Sequence, residues 1–333
     1  MSAGPGRADG AGGADGAGGA GGPEPGGLAP LADLALSRGE VDRATMLRDD
    51  AAWLAAAWDD PRSRVLAVHD ERAAVRDGAA GPELVLVSPD QAPDGIRILL
   101  GTGADGTAYF AIAVPGGDRP SAPAGQDARW AALRQVGALL PARDAGLMTH
   151  AVALANWHAV AGHCPRCGSV TEPVSAGSSR RCVNDGSEHF PRSDPAVIML
   201  VTDPDDRALL ARNAQWPARR VSILAGFVEA GESAERAVVR EVLEETGLAV
   251  GQVRYIGSQP WPMPHSLMLG FRARAEAGQQ IKVDAKEIAE AHWFGRAQLR
   301  DAVRQGEVLL PPPVSIAHRI IASWYGGDLT AGW

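Results

Sequence analysis

The stretch GFVEAGESAERAVVREVLEETG, residues 226–247, carries six glutamates in 22 positions. It reads as a helix with marked ends. Ser233 is a good N-cap, Glu235 falls in the first turn where the helix dipole favours an acid, and Gly247 stands where a C′ glycine would stop the helix. Within it, Glu241, Glu244 and Glu245 lie at i, i+3 and i+4, which places three carboxylates on one face. Ala237, Val238, Val242 and Leu248 supply apolar contacts elsewhere around the helix. The acids are either a solvated face or a gathering around something cationic. Like charges at i,i+4 destabilise a helix by roughly 0.2–0.5 kcal/mol per pair, and only Arg236 and Arg240 are at hand to oppose them. A divalent cation removes the conflict, because hard ions take several carboxylate oxygens at once.

The complete pattern is more specific than the spacing. Gly226, Glu232, Arg240, Glu241, Glu244, Glu245, Gly247 and Leu248 fit G-x5-E-x7-R-E-U-x-E-E-x-G-U without exception, U being bulky aliphatic. This resembles the box of the Nudix hydrolases, which cleave nucleoside diphosphates linked to another group. The resemblance implies an α/β fold: a Nudix α/β/α sandwich with a mixed sheet. It implies that Glu241, Glu244 and Glu245 hold Mg²⁺ or Mn²⁺, with the carbonyl of Ala225 contributing. Arg240 would orient the carboxylates, Glu232 would brace the loop, and Gly226 and Gly247 would be structural. The chemistry agrees independently: cleaving a pyrophosphate requires neutralised phosphate oxygens and a water presented in line.

A second stretch bears on substrate. SQPWPMPHS (258–266) begins 11 residues after Gly247 and reads as a proline-stiffened loop following a strand. It is similar to the SQPWPFPxS signature of the NADH pyrophosphatase subgroup of Nudix hydrolases, departing only at Met263, an apolar filler. By this resemblance Gln259, Trp261 and Ser266 shape a dinucleotide pocket. Phe227 matches an aromatic that stacks on the nicotinamide side, and Phe190 one supplied by the partner subunit of a homodimer. Glu287 matches a further metal-site glutamate, and Ala317 a residue lining the base pocket. NADH or NAD⁺ would be split to nicotinamide mononucleotide and AMP. NAD at the 5′ end of RNA fits the same pocket if the adenosine 3′ side stays open. Whether Glu245 is metal ligand or general base is not legible.

CPRCGS (164–169) followed by RRCVND (180–185) resembles a zinc ribbon, C-x2-C-x14-C-x2-C, with Asp185 in the fourth position. Cys164, Cys167 and Cys182 would hold structural Zn²⁺ together with Asp185 or His189, since zinc accepts either group. A ribbon held by packing alone is the competing reading.

The 333 residues exceed a single ordinary core. Residues 1–28 are Gly/Ala-rich and offer little to bury, so they read as a disordered tail. Residues 30–160 read as an N-terminal α+β domain with short strands at 63–68, 83–87, 96–101 and 108–114 and helical periodicity at 128–140 and 144–162. The ribbon-like segment follows at 163–190 and the Nudix domain at 191–333. No internal repeat is legible. A net charge of -8 argues against generic duplex DNA binding while leaving room for a local basic patch. No apolar run approaches the ~20 residues a membrane span needs. Three cysteines and no legible leader point to a reducing, cytoplasmic setting.

Two other function classes remain to be weighed. A Nudix fold can sense NAD(H) without hydrolysing it, but such a regulator has no need of all three box glutamates. A ribbon-mediated nucleic-acid binder would rest on Arg166, Arg180, Arg181 and Arg192. ADP-ribose is the rival substrate within the enzyme class, and the QPW stretch ranks NADH above it.

Overall fold

The computed structural model describes residues 31–32, 34–117, 127–327 and 329. The tail expected at 1–28 lies outside these residues.

The first unit comprises helix α1 (Ala51–Asp59), strands β1 (Arg64–His69), β2 (Arg72–Gly78), β3 (Gly81–Leu84), β4 (Ile96–Thr102), β5 (Ala108–Ala113) and β6 (Ala128–Ala132), then helices α2 (Leu133–Val136) and α3 (Ala142–Val160). The ribbon is a small sheet of β7 (Thr171–Val174), β8 (Ser179–Cys182) and β9 (Glu188–His189). The last unit runs β10 (Asp194–Thr202), β11 (Ala208–Asn213), β12 (Leu224–Phe227), α4 (Ala234–Thr246), β13 (Val250–Trp261), β14 (Ser266–Ala275), β15 (Ile288–Phe294), α5 (Arg296–Arg304) and α6 (Ile316–Tyr325).

The two six-stranded sheets repeat one topology, which the sequence did not disclose. In the first, β4–β5–β1–β2–β6 are neighbours; in the second, β13–β14–β10–β11–β15 are. Among the described residues the parallel strand pairs, β5 with β1 and β14 with β10, fall at the same place, and every other neighbour on both paths is antiparallel. The short β12 pairs with β10, and an isolated bridge between Val87 and Val65 stands in the corresponding place. One difference matters. Between β12 and β13 the second unit inserts α4, whereas between Val87 and β4 the first has only a single turn of 3₁₀ helix, Pro89–Gln91.

Each sheet is buried on two faces. Zero-exposure residues Val197, Met199 and Val201 on β10 meet Ala237, Val238 and Val242 of α4, while Leu200 on the opposite face meets Ile320 and Ile321 of α6. This is the three-layer sandwich expected of a near-continuous apolar central strand. Some expectations need correction. Residues 128–132 form strand β6 on the free edge of β2, and the helix that follows has only four residues. There a backbone needing hydrogen-bond partners outweighs the helix propensity of an Ala-rich run. Helix α1, strands β2 and β12 and helix α5 are additions to the elements expected. In α5, Leu299, Ala302 and Val303 carry a legible i, i+3, i+4 stripe.

Candidate active site

Helix α4 places its acids by packing. The Ser233 hydroxyl accepts from the Arg236 amide at 3.3 Å, and Gly247 at φ 68° closes the helix with its amide donating to the Leu243 carbonyl at 2.8 Å. With Ala237, Val238 and Val242 turned into the core, Glu241 and Glu245 fall at the margin of the buried face and Glu244 in the open.

Arg240 is the hub of the cluster. Its guanidinium donates to both oxygens of Glu232 (3.0 and 2.9 Å), to Glu241 at 2.9 Å, to Glu244 at 3.2 Å and to the Phe227 carbonyl at 2.9 Å. The bidentate pair holds Glu232 below the usual carboxylate range, and Glu232 in turn accepts from the Glu229 amide, bracing the turn before the helix. Gly226 on β12 lies against the Glu241 carboxylate so closely that any Cβ there would fall inside it.

Glu287 joins the cluster from a distant part of the chain. The Lys282 and Asp284 amides donate to the Thr246 and Glu245 carbonyls at the end of α4 (2.8 and 3.2 Å). The Ala214 amide then donates to the Glu287 carbonyl at 2.8 Å. The four acids interact: burial pushes Glu245 up to about 8, with Glu241, Glu287 and Glu244 adding to the shift. Burial also raises Glu241, with Glu244 and Glu287 adding to it and Arg240 opposing. One Glu245 oxygen is buried without a hydrogen-bond partner. A buried carboxylate oxygen left unpaired among other carboxylates is costly unless a cation takes it. Four carboxylates that feel one another's charge make an all-oxygen donor set, which suits a hard divalent ion.

The expected substrate residues are distributed unevenly. Phe227 and Phe190 are 58% and 68% exposed, open ring faces at the end of β12 and just after the ribbon. The QPW stretch is a hairpin and not a loop: β13 runs through Trp261, paired with Ser266, and only Pro262–His265 turns. Trp261 packs against the first unit's core, and Asn156 of α3 donates to the Pro262 carbonyl at 2.8 Å. Two residues are enclosed. Gln259 has no exposure; its amide accepts from the Leu36 amide at 3.2 Å and donates to the Val314 carbonyl at 3.0 Å. A buried amide needs both ends satisfied, and here the main chain takes both. Ala317 is likewise enclosed, in the core beneath α6.

In the ribbon, Cys164, Cys167, Cys182 and Asp185 bring one ligand atom each to within 4.8 Å of one another. Two matching turns make this geometry. CPRCG and CVNDG each end in a left-handed glycine, Gly168 (φ 75°) and Gly186 (φ 69°). In each turn an amide points at the first sulfur: Arg166 to Cys164 at 3.4 Å and Asp185 to Cys182 at 3.5 Å. Asp185 thus occupies in the second turn the place Cys167 has in the first, while His189 Nε2 lies beside the Ser187 hydroxyl at 3.1 Å, outside the group of four. The open choice of fourth ligand falls to Asp185. His158 is a packing residue: Arg180 can only donate to its Nδ1 (3.0 Å), so Nε2 carries the proton and donates to the Gly177 carbonyl at 2.8 Å.

Three family models match the chain. Residues 192–311 match the NUDIX domain, 62–157 the NADH pyrophosphatase-like rudimentary NUDIX domain, and 161–190 the NADH pyrophosphatase zinc ribbon domain. The second of these spans most of the first sheet, whose topology repeats that of the catalytic unit. The NAD-capped RNA hydrolase NudC of Mycobacterium bovis is 43% identical over 304 residues, covering 87% of this chain and 94% of that protein. The Mycobacterium tuberculosis protein of the same name is 42% identical over the same span. Human NAD-capped RNA hydrolase NUDT12 is 41% identical over 197 residues, covering 56% of this chain and 42% of that protein.

Proposed function

The chain belongs to the Nudix hydrolases, on their NADH pyrophosphatase branch, and on that basis we propose that it hydrolyses the pyrophosphate of NADH and NAD⁺ and of NAD caps on RNA. The observation that carries this reading is the buried Glu245 carboxylate, one oxygen of which has no hydrogen-bond partner, with the charges of Glu241, Glu287 and Glu244 acting on it. These four, with the Ala225 carbonyl, would hold Mg²⁺ or Mn²⁺. A bound dication neutralises pyrophosphate oxygens and lowers the pKa of a coordinated water.

The chain's own residues do the rest. Arg240 is spent on Glu232, Glu241, Glu244 and the Phe227 carbonyl, so it fixes the carboxylates in place and has none of its five donors to spare for substrate. The exposed ring of Phe227, two residues beyond Ala225, offers a face on which a planar base can stack next to the acids. Trp261, held by the joint between the units, limits the pocket on the hairpin side. Phe190 is too exposed for a residue packed in its own subunit, and a homodimer that brings it to the partner's pocket accounts for it. In the ribbon, three thiols and Asp185 would hold Zn²⁺ as a structural ion, tying α3 to β10.

Specificity is tested by comparing kcat/KM for NADH and for ADP-ribose. Preference for NADH by at least tenfold supports the reading. Equal or better use of ADP-ribose would assign the pocket to a different nucleoside diphosphate.

A further inference from the structure

A cleft of about 540 Å³ lies where the segment 36–43, helix α3 and the outer edge of β13 meet. It is basic in a chain whose net charge is -8. Arg38, Arg43 and Arg143 line it, and Glu40 is the one acid among its described lining residues. Arg143 is neutralised by Asp144 at 2.8 Å. Arg38 donates to the carbonyls of Ala35 and Gly137 (3.0 and 2.8 Å), which leave its charge intact. Arg43 has no carboxylate within ion-pair distance among the described residues, and behind it Arg48 donates to the Arg43 carbonyl at 3.3 Å while its buried Nε finds no partner. The positive field is felt by His150 on the cleft wall, which burial and then Arg43 and Arg48 push down to about 3.

The cleft also borders the recognition hairpin. Ser258 and Pro260, which flank Gln259, form part of its wall, as does Ser193, three residues after Phe190. Unpaired arginine donors next to a pocket for a nucleotide cap are what a phosphodiester chain needs, since guanidinium–phosphate contacts supply sequence-independent affinity.

We propose that this cleft holds the phosphate backbone of the RNA strand that trails from an NAD cap. The inference rests on the capped-RNA part of the function proposed above. It makes RNA, and not the free dinucleotide, the substrate that the N-terminal unit helps to recognise.

The test compares wild type with Arg43→Gln and Glu40→Gln on two substrates, NADH and a single-stranded RNA of about 20 nucleotides bearing an NAD cap. Arg43→Gln should leave kcat/KM for NADH within about twofold and lower that for capped RNA about tenfold. Its salt dependence should become shallower by about 0.7 in log–log slope for each phosphate that the variant no longer neutralises. Glu40→Gln should move capped-RNA turnover the other way, which loss of structure would not. Equal effects on both substrates, or an unchanged salt slope, would overturn the proposal. If the wild type cleaves NADH but not capped RNA, the decapping reading fails on its own. The cleft is then judged by fluorescence anisotropy of a 5′-phosphorylated RNA with EDTA present: weaker binding by Arg43→Gln supports it, and equal binding refutes it.

Discussion

At position 226 the absence of a side chain decides where an acid can sit. The Glu241 carboxylate lies over the Gly226 backbone, and Arg240 holds it there at 2.9 Å. Gly226→Ala should therefore push Glu241 off its place while leaving the folded core intact. We expect kcat/KM for NADH to fall about 10²-fold, the scale of a displacement of about 1 Å in a catalytic group, with little change in melting temperature. An unchanged rate would show that Glu241 does not need this seat. Much at this scale was legible, because the box positions Gly226, Glu232, Arg240 and the three glutamates act through short-range geometry that spacing records. Glu287 was accessible only through family resemblance: hydrogen bonds from Lys282 and Asp284 to the end of α4 deliver it, and these leave no mark on residue type. The hydrogen-bond partners of Gln259, Leu36 and Val314, lie 223 and 55 residues away, beyond any local pattern.

At the scale of elements, α4 distinguishes two otherwise parallel sheets. The catalytic unit carries a 13-residue helix where the N-terminal unit has three residues of 3₁₀ helix, and so only one of them can gather acids. In the first unit that face of the sheet is covered instead by α1, through Trp53, Leu54 and Trp58 packed over Leu99 and Phe110. The repetition was not legible because burial constrains only apolarity, and many sequences satisfy one topology. Helix α3 has a pH signature of its own. His150, pushed down to about 3, and His158, lowered by burial and by Arg180 against the pull of the Gly177 carbonyl, stay neutral in the fold while the unfolded chain protonates them near 6.5. Between these values the unfolded state binds more protons, so stability rises with pH and is lost as pH falls from about 6.5 toward 3. Melting temperatures should drop on acidification from pH 7 to 5, and less steeply in His150→Gln. Parallel profiles for the two proteins would remove His150 from the explanation.

For the whole molecule, the hairpin at the end of β13 stands at a joint. Trp261 packs into the N-terminal core, Asn156 holds the hairpin, and Leu31, Leu36 and Ser37 bond to β13, with the Leu31 amide donating to the Ile256 carbonyl at 2.7 Å. The N-terminal unit therefore holds this hairpin in place. The exposed Phe190 belongs to this scale too, since its proposed target is a second copy. Phe190→Ala should raise KM for NADH several-fold and leave affinity for the metal unchanged. A full-affinity variant would end the shared-pocket account. The central claim, a metal-dependent pyrophosphatase centred on the glutamates of α4, is tested most directly by the products formed from NADH with Mg²⁺ or Mn²⁺, in wild type and in Glu245→Gln. The wild type should yield AMP and reduced nicotinamide mononucleotide, nothing should form with EDTA, and the variant should be slower by about 10³-fold, ~4 kcal/mol of barrier. Wild-type rates in Glu245→Gln, or release of free nicotinamide in place of the mononucleotide, would contradict it.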